Sequence, residues 1–111
     1  MDNRFTFDLY YHSLRACRLT APVLEEVARR DADLARQGRR ALASIHLNIA
    51  ESMDAPGKTR ILRLRHALGS TNEVIACLDF AATVGDVVPN EEAMDALQHV
   101  RAILLKLVRK R

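Results

Sequence analysis

The sequence predicts an all-α protein, an antiparallel up-down-up-down four-helix bundle formed as a single domain over residues 1–111. Three observations lead to this fold class. Apolar residues recur at helical spacing, no segment alternates as a strand would, and the few turn residues, four Gly and three Pro, include clear stops between long periodic segments. A chain of 111 residues is the usual size of one domain with one core. Because aromatic residues make up 5% and there is no Trp, that core should be mainly aliphatic.

The turn residues set the helix boundaries. Pro56 and Gly57 separate the second helix from the third, Gly85 ends the third, and Asn90 caps the fourth. Short connections of this kind make sequential helices antiparallel neighbours. The expected helices cover residues 6–30, 33–53, 58–84 and 91–109.

The break between the first two helices has the weakest signal, because the stretch "ARRDADLARQ" contains neither Gly nor Pro. We place it there because Asp31 or Asp33 can cap the helix that follows. The alternative, one continuous helix of about 45 residues, is disfavoured by its length. Pro22 is expected to kink the first helix or to split it.

Each predicted helix carries one apolar stripe at a spacing of three and four residues, which we expect to face the core. The residues of these stripes are Phe7, Tyr11, Leu14 and Ala21 in the first helix; Leu34, Gly38, Leu42, Ile45, Ile49 and Met53 in the second; Ile61, Leu64, Leu68, Ile75, Leu78 and Ala82 in the third; and Leu97, Val100, Leu104 and Leu107 in the fourth.

A second apolar surface remains on the backs of the second and third helices. It contains Leu47, Leu62, Ala76 and Phe80, which a monomeric bundle would leave in water. Apolar patches on small soluble domains usually mark contact surfaces, so we expect a homo-oligomer that uses these four residues. The alternative is that they are scattered exposed residues without a role.

Amides and carboxylates also border the core stripes of these two helices. The candidates are Asn48, Glu51, Ser70, Asn72 and Glu73. We expect an interhelical hydrogen-bond network that fixes helix register, with an oligomer contact or a ligand or catalytic site as alternatives. A partly buried Glu51 would need a donor from a neighbouring helix or subunit. The available donors are Arg39, Arg40, Arg63, Asn72 and Ser70.

Positive charge is concentrated in the middle of the chain. The net charge is +3, but residues 36–65 contain seven cations and two anions, which gives +5 and leaves −2 for the remainder. Such a segment can bind RNA or another acidic partner, although a solvated helix surface gives the same pattern. The seven residues are Arg36, Arg39, Arg40, Lys58, Arg60, Arg63 and Arg65.

Motifs of enzymes and metalloproteins are missing from the sequence. No Glu is followed three residues later by His, so the di-iron class of bundle is excluded, and Asp95 with His99 is the nearest approach to a ligand pair. Neither G-x-S-x-G nor a glycine-rich phosphate loop occurs. We therefore expect no catalytic residue, cofactor or metal, and no enzymatic activity.

The cysteines and the hydropathy of the chain indicate its environment. Cys17 and Cys77 have no zinc-type spacing and are expected to be buried, reduced thiols. No signal peptide and no run of 18 apolar residues occurs, so we expect a cytoplasmic protein without a membrane partner.

Two motifs in the central helices resemble the 23S rRNA intervening-sequence family of four-helix bundles. "LARQGRRALASIHLNIAES" resembles the family pattern L-x-x-Q-x-x-R-A-x-x-S-x-x-x-N-I-A-E-G, with Ser52 in place of the final Gly, and "RHALGSTNEV" resembles A-x-G-S-x-x-E. The matching residues are Leu34, Gln37, Arg40, Ala41, Ser44, Asn48, Ile49, Ala50 and Glu51 in the first motif, and Ala67, Gly69, Ser70 and Glu73 in the second.

This resemblance, which covers roughly residues 31–88, implies a non-enzymatic bundle that assembles into a ring, commonly a pentamer. Some members of the family are encoded within inserts of large-subunit ribosomal RNA genes. Related accessory variability proteins of diversity-generating retroelements form basic five-fold barrels that contact nucleic acid and a reverse transcriptase.

Overall fold

The structure is a computed structural model, which describes the backbone of residues 3–109 and the side chains of residues 8–109. Within that range the chain is helical without any strand, so the predicted all-α class is confirmed. The predicted boundaries lie within three residues of the observed ones. The helices are α1 (Asn3–Ala28), α2 (Ala32–Ser52), α3 (Gly57–Thr83) and α4 (Glu91–Arg109).

The four helices pack side by side as the predicted four-helix bundle. Contacts join α1 to α2, α2 to α3, α3 to α4 and α4 back to α1, and the α2–α3 contact is the most extensive. The short connections reverse the chain direction at each step. The bundle measures 42 × 22 × 20 Å. Its two short dimensions each correspond to about two helices packed side by side.

The break between α1 and α2 lies where the Asp residues predicted it. Residues 29–31 form a turn, and the backbone N–H of Leu34 donates a hydrogen bond to Oδ1 of Asp31 at 3.0 Å. Asp31 therefore caps α2, because its carboxylate satisfies one of the N–H groups that lack a partner within the helix. A single continuous helix is excluded.

Pro22 does not split α1, which runs unbroken from Asn3 to Ala28. Proline removes one backbone hydrogen bond from a helix and leaves the carbonyl four residues earlier without its usual partner. Here that carbonyl belongs to Arg18, and both Arg18 and Pro22 are exposed. The helix continues through Pro22 without a break.

Gly85 ends α3 in the way its sequence position predicts. Its φ is +85°, in the left-handed region that favours glycine. The N–H of Gly85 donates to the carbonyl of Ala82 at 3.2 Å, and the N–H of Asp86 donates to the carbonyl of Ala81 at 2.8 Å, which together form a Schellman motif. At the start of α4, the N–H of Ala93 donates to Oδ1 of Asn90 at 2.9 Å, which confirms the predicted cap.

The helix α2 ends without a glycine. Ser52, which stands where the pattern has Gly, is the last residue of α2 and is fully buried. Its hydroxyl donates to the carbonyl of Ile49 at 2.7 Å, which satisfies the buried group within its own helix. The turn then runs through residues 53–56 before α3 begins at Gly57.

The core is aliphatic, as the composition predicts, and the stripes of α2 and α4 are placed well. In α2 Leu34 and Met53 are only half-buried at the edges of the stripe. The predicted core residues that the structure buries are Gly38, Leu42, Ile45 and Ile49 in α2, and Leu97, Val100, Leu104 and Leu107 in α4.

The predicted inner face of α1 is wrong. Tyr11 is 55% exposed and Leu14 is 38% exposed, while Phe7 lies outside the described side chains. The buried stripe includes two hydroxyl residues, Ser13 and Thr20, which a search for apolar periodicity treats as polar and therefore skips. The residues that α1 buries are Leu9, Ser13, Ala16, Thr20, Val23, Leu24 and Val27.

The stripe of α3 is rotated relative to the prediction. Leu64 and Leu78 are buried as expected, whereas Ile61, Leu68, Ile75 and Ala82 are half-buried at its edge. The stripe is narrow and built from small residues, so the large side chains beside it are only partly covered. Its members are Leu64, Ala67, Thr71, Val74, Cys77, Leu78 and Ala81.

Candidate assembly face and polar groove

The outward surface of α2 and α3, here called the outer face, exposes large apolar side chains. Leu47 on α2 is 58% exposed, and Leu62 and Phe80 on α3 are 51% and 53% exposed. Ala76 is exposed as well. These are the four residues that the sequence assigned to an oligomer contact, and all four lie in solvent in the isolated chain.

Gly69 also lies on the outer face, in the middle of α3. A Cβ atom built on Gly69 would meet no atom within 4 Å, so no neighbour within the chain requires a glycine there. Glycine inside a helix costs roughly 1 kcal/mol relative to alanine. Gly38 differs, because a Cβ atom on it would lie 2.8 Å from Cδ2 of Leu24 in the core. Gly38 thus allows α1 and α2 to pack closely, whereas Gly69 has no such role in the protomer.

A serine pair joins the two helices beside the outer face. The hydroxyl of Ser70 donates to the hydroxyl of Ser44 at 2.8 Å. The side-chain amide of Asn48 donates to both the carbonyl and the hydroxyl of Ser44, at 2.9 and 3.0 Å. Asn48 and Ser70 therefore meet as the predicted network required, but they meet through Ser44, which the candidate set did not include.

Glu51 lies further along α2 and is not buried as the sequence analysis expected. Its Oε1 is 3.2 Å from Nε of Arg63, one of the donors proposed for it, and the two side chains are 59% and 40% exposed. An ion pair this open to solvent contributes roughly 0–1 kcal/mol. The pair joins α2 to α3 without the cost of burying a charge.

The remaining two candidates do not join this cluster. Asn72 lies on the opposite flank of α3, where its Oδ1 accepts a hydrogen bond from Nε of Arg101 on α4 at 2.8 Å. Glu73 is exposed. The five candidates thus do not form one network: Asn48 and Ser70 share Ser44, whereas Glu51 and Asn72 have separate partners. Asn72 lies away from Ser70 because residues two apart on a helix point in directions about 200° apart.

A shallow groove of about 320 Å³ opens beside the serine pair. The groove has positively charged, negatively charged and apolar side chains in its lining. Of the residues considered for a ligand site from the sequence, the groove contains Asn48 and Glu51 of α2 but neither Asn72 nor Glu73 of α3. The groove is lined by Arg40, Ala43, Ser44, Leu47, Asn48, Glu51 and Arg63.

The cations of the basic segment are divided between α2 and the first half of α3. Arg36 forms an ion pair with Asp33 one turn earlier, and Arg63 pairs with Glu51. Arg60 is half-buried. The exposed cations are Arg36, Arg39, Arg40, Lys58 and Arg65.

A buried contact between α1 and α2 escaped the sequence analysis. The hydroxyl of Ser13 donates to the carbonyl of Tyr10 at 2.7 Å and lies 2.8 Å from Nδ1 of His46. The single hydroxyl proton is used on the carbonyl, so Nδ1 carries the proton of the neutral imidazole and donates to Ser13. Burial lowers the pKa of His46 because desolvation disfavours the charged ring. No short sequence motif predicts this contact, since 33 residues separate Ser13 from His46.

Both thiols are held in their neutral form. Burial raises the pKa of Cys17, with a smaller opposing effect of Arg39, and its Sγ lies 3.7 Å from the carbonyl of Leu42. Burial also raises the pKa of Cys77, and the negative charge of Glu73 adds to the effect. Neither thiol is therefore activated as a nucleophile.

No helix between residues 3 and 109 has the length and apolarity that crossing a membrane requires. Over the same residues, no three His, Cys, Asp or Glu side chains come close enough together to hold a metal ion.

The fold and this surface define an antiparallel four-helix bundle with an exposed apolar face and an adjoining polar groove. The chain is similar to a protein of unknown function from the S23 ribosomal protein family of Bacteroides thetaiotaomicron, known from its crystal structure. The TM-score is 0.84 over 96% of this chain and 99% of that one, at 17% sequence identity. The sequence matches no family model and no curated protein. At this identity the likeness establishes the fold.

Proposed function

We propose that the chain is a non-enzymatic subunit of a homo-oligomeric scaffold that assembles through its outer face. The observation that carries the proposal is the exposure of Leu47, Leu62 and Phe80, each more than half open to solvent on two adjacent helices. Covering apolar surface gains roughly 25 cal/mol per Å², so a second copy on this face would be stabilised by its burial.

Gly69 supports the same proposal. No neighbour within the protomer requires a glycine at Gly69, so nothing in the protomer offsets the cost of glycine inside α3. A close approach of another chain to α3 at this position would offset that cost. Glycine on an exposed helix face lets another backbone come close. The resemblance to the intervening-sequence family favours a ring for this assembly, with five subunits as its commonest form.

The assembly is tested by the mass of the protein in solution. We expect light scattering to give a multiple of the 12.5 kDa protomer, and the double variant Leu62→Glu/Phe80→Glu to give the protomer. Val88→Glu is the matched control, because Val88 is 80% exposed and lies in the connection before α4, outside both α2 and α3. A wild-type protein that stays monomeric when concentrated would contradict the proposal.

The acidic partner proposed for this scaffold is structured RNA. The exposed cations of the basic segment supply the charge, and a symmetric ring would repeat each of them in every subunit. The name of the family to which the structural neighbour is assigned refers to the ribosome, which is consistent with this choice. A chain with 5% aromatic residues has few rings to stack on unpaired bases, so phosphate contacts should dominate.

Salt dependence tests the RNA contact. We expect affinity for structured RNA to fall with increasing salt, and Arg40→Gln/Arg65→Gln to reduce that slope by roughly 0.7–0.9 per lost phosphate contact. Arg29→Gln/Arg30→Gln is the control, because both residues are exposed but lie in the turn before α2. Binding that does not depend on salt, or an equal effect of both double variants, would contradict the RNA contact. The proposal of a homo-oligomer would not be affected.

The groove supports a second candidate function, a small-molecule binder. Its polar and apolar lining and its volume of about 320 Å³ suit a small ligand with an anionic group, which Arg40 could pair. A screen of small carboxylates and phosphates by thermal shift tests this, with Asn48→Ala as the variant. A ligand that stabilises both forms equally would bind elsewhere.

A further inference from the structure

A histidine pair lies on the opposite side of the bundle, between α1 and α4. The rings of His12 and His99 meet edge to face, with centroids 4.5 Å apart and an angle of 85° between their planes. His12 is half-buried and His99 is exposed. The pair takes no part in the outer face or the groove, and 87 positions of sequence separate its members, so no local motif indicates it.

Acidic residues accompany both rings in a matching pattern. Asp8 precedes His12 by four residues on α1, and Asp95 precedes His99 by four residues on α4, and both carboxylates are exposed. Residues four apart on a helix are neighbours on its surface. Since α1 and α4 are antiparallel, one carboxylate flanks the ring pair on each side along the bundle axis. The cations nearest to the pair in sequence have other partners: Arg15 lies 3.6 Å from Glu92, and Arg101 donates a hydrogen bond to Asn72.

We propose that His12 and His99 form a two-imidazole site for a divalent transition-metal ion such as Ni²⁺ or Zn²⁺. Two nitrogens that bind one ion at about 2.0–2.1 Å lie at most about 4.2 Å apart, which rings with centroids at 4.5 Å reach by side-chain rotation. Imidazole suits these ions. Water completes the coordination, because no third ligand among the described side chains lies close enough.

The site would couple metal binding to the packing of the bundle. An ion held by one ligand from α1 and one from α4 joins the two helices that are furthest apart in sequence. It binds the folded chain in preference to the unfolded one, which has the two ligands far apart. Binding therefore stabilises the fold in proportion to the logarithm of the metal concentration.

The experiment is thermal unfolding of the full chain with and without Ni²⁺, together with a calorimetric titration. We expect one ion per chain and a rise in Tm of roughly 5 °C when free Ni²⁺ is about ten times its Kd. A chelator should reverse the rise. His99→Gln should abolish both the shift and the calorimetric signal.

His66→Gln is the matched control, because His66 is an exposed histidine on α3. It should keep the wild-type response to Ni²⁺. The proposal is overturned if Ni²⁺ leaves the Tm unchanged, or if the shift survives in both His99→Gln and His12→Gln. Because His99 is exposed, its replacement should leave the metal-free Tm almost unaltered, and the comparison then holds between two folded proteins.

Discussion

The hydroxyl of Ser70 donates a hydrogen bond to the hydroxyl of Ser44 across 2.8 Å, and this contact joins α3 to α2. A shift of either helix by one residue would turn one hydroxyl about 100° away from the other. The side-chain amide of Asn48 binds the same hydroxyl, so Ser44 accepts two hydrogen bonds at once.

Replacement of Ser44 is therefore expected to affect stability more than replacement of Ser70. Ser44→Ala removes the acceptor for two donors and should lower the free energy of unfolding by about 1–2 kcal/mol, whereas Ser70→Ala should cost about 1 kcal/mol or less. Urea denaturation of both variants and of the double variant measures the coupling. Strictly additive effects would show that the hydroxyl–hydroxyl bond contributes nothing.

The two helix-interior glycines should respond in opposite ways to a methyl group. Gly69→Ala is expected to stabilise the isolated protomer by about 0.5–1 kcal/mol, because the new Cβ meets open space and alanine favours the helix. Gly38→Ala gains the same propensity but forces Leu24 to move inside the core, which costs about 1–3 kcal/mol. Denaturation of each variant under monomeric conditions measures the difference, and a larger gain for Gly38→Ala would contradict this account.

His46 should make stability depend on pH. Its pKa is lowered in the folded protein, so between the usual value of 6.5 and that lowered pKa the unfolded chain binds more protons. The contribution of His46 is therefore fully present above about pH 6.5 and is lost progressively as the pH falls below it.

Thermal unfolding measured from pH 7.5 down to pH 5 tests this expectation, with the wild type compared to His46→Gln. The variant should lose part of the decrease in Tm on acidification. His66→Gln serves as the control, since His66 is exposed on α3. If the Tm of His46→Gln decreased on acidification as much as that of the wild type, groups other than His46 would be responsible for the pH dependence.

The ion pair of Glu51 and Arg63 should contribute little to the protomer. Glu51→Ala is expected to lower the free energy of unfolding by less than about 1 kcal/mol, because the Glu51 side chain is 59% exposed and that of Arg63 is 40% exposed. A change in oligomer mass in this variant would instead show that Glu51 acts between subunits. Light scattering at equal protein concentration separates the two outcomes, and a loss well beyond 1 kcal/mol in a protomer would contradict the solvated description.

The fold was accessible from the sequence because its signals are local. Asp31, Gly85 and Asn90 sit at the ends of periodic segments, and each has the side chain or backbone freedom that its position needs. Such positions depend on a few neighbouring residues. The exposure of Leu62 and Phe80 was predictable for the same reason, since both lie on the side of a helix opposite its core stripe.

The site was less accessible because its contacts depend on how helices meet. Sequence placed Asn48 and Ser70 near the core boundary, but only the packed bundle shows that Ser44 lies between them. Asn72, two residues after Ser70, instead accepts a hydrogen bond from Arg101 on α4, and Glu73 is exposed. On α1 the inner stripe was mispredicted because apolar periodicity does not count Ser13 as a core residue. Ser13 can be buried because its hydroxyl donates a hydrogen bond to the carbonyl of Tyr10.

The aliphatic core has a spectroscopic consequence. The chain contains no Trp, and among the described aromatic rings Phe80 is exposed while Tyr10 packs against Tyr11 and His46. Near-ultraviolet circular dichroism should therefore report mainly on Tyr10 at the α1–α2 contact and only weakly on the other described side chains of the interior. Melting of that contact alone would extinguish the signal while far-ultraviolet ellipticity still registered an almost intact bundle.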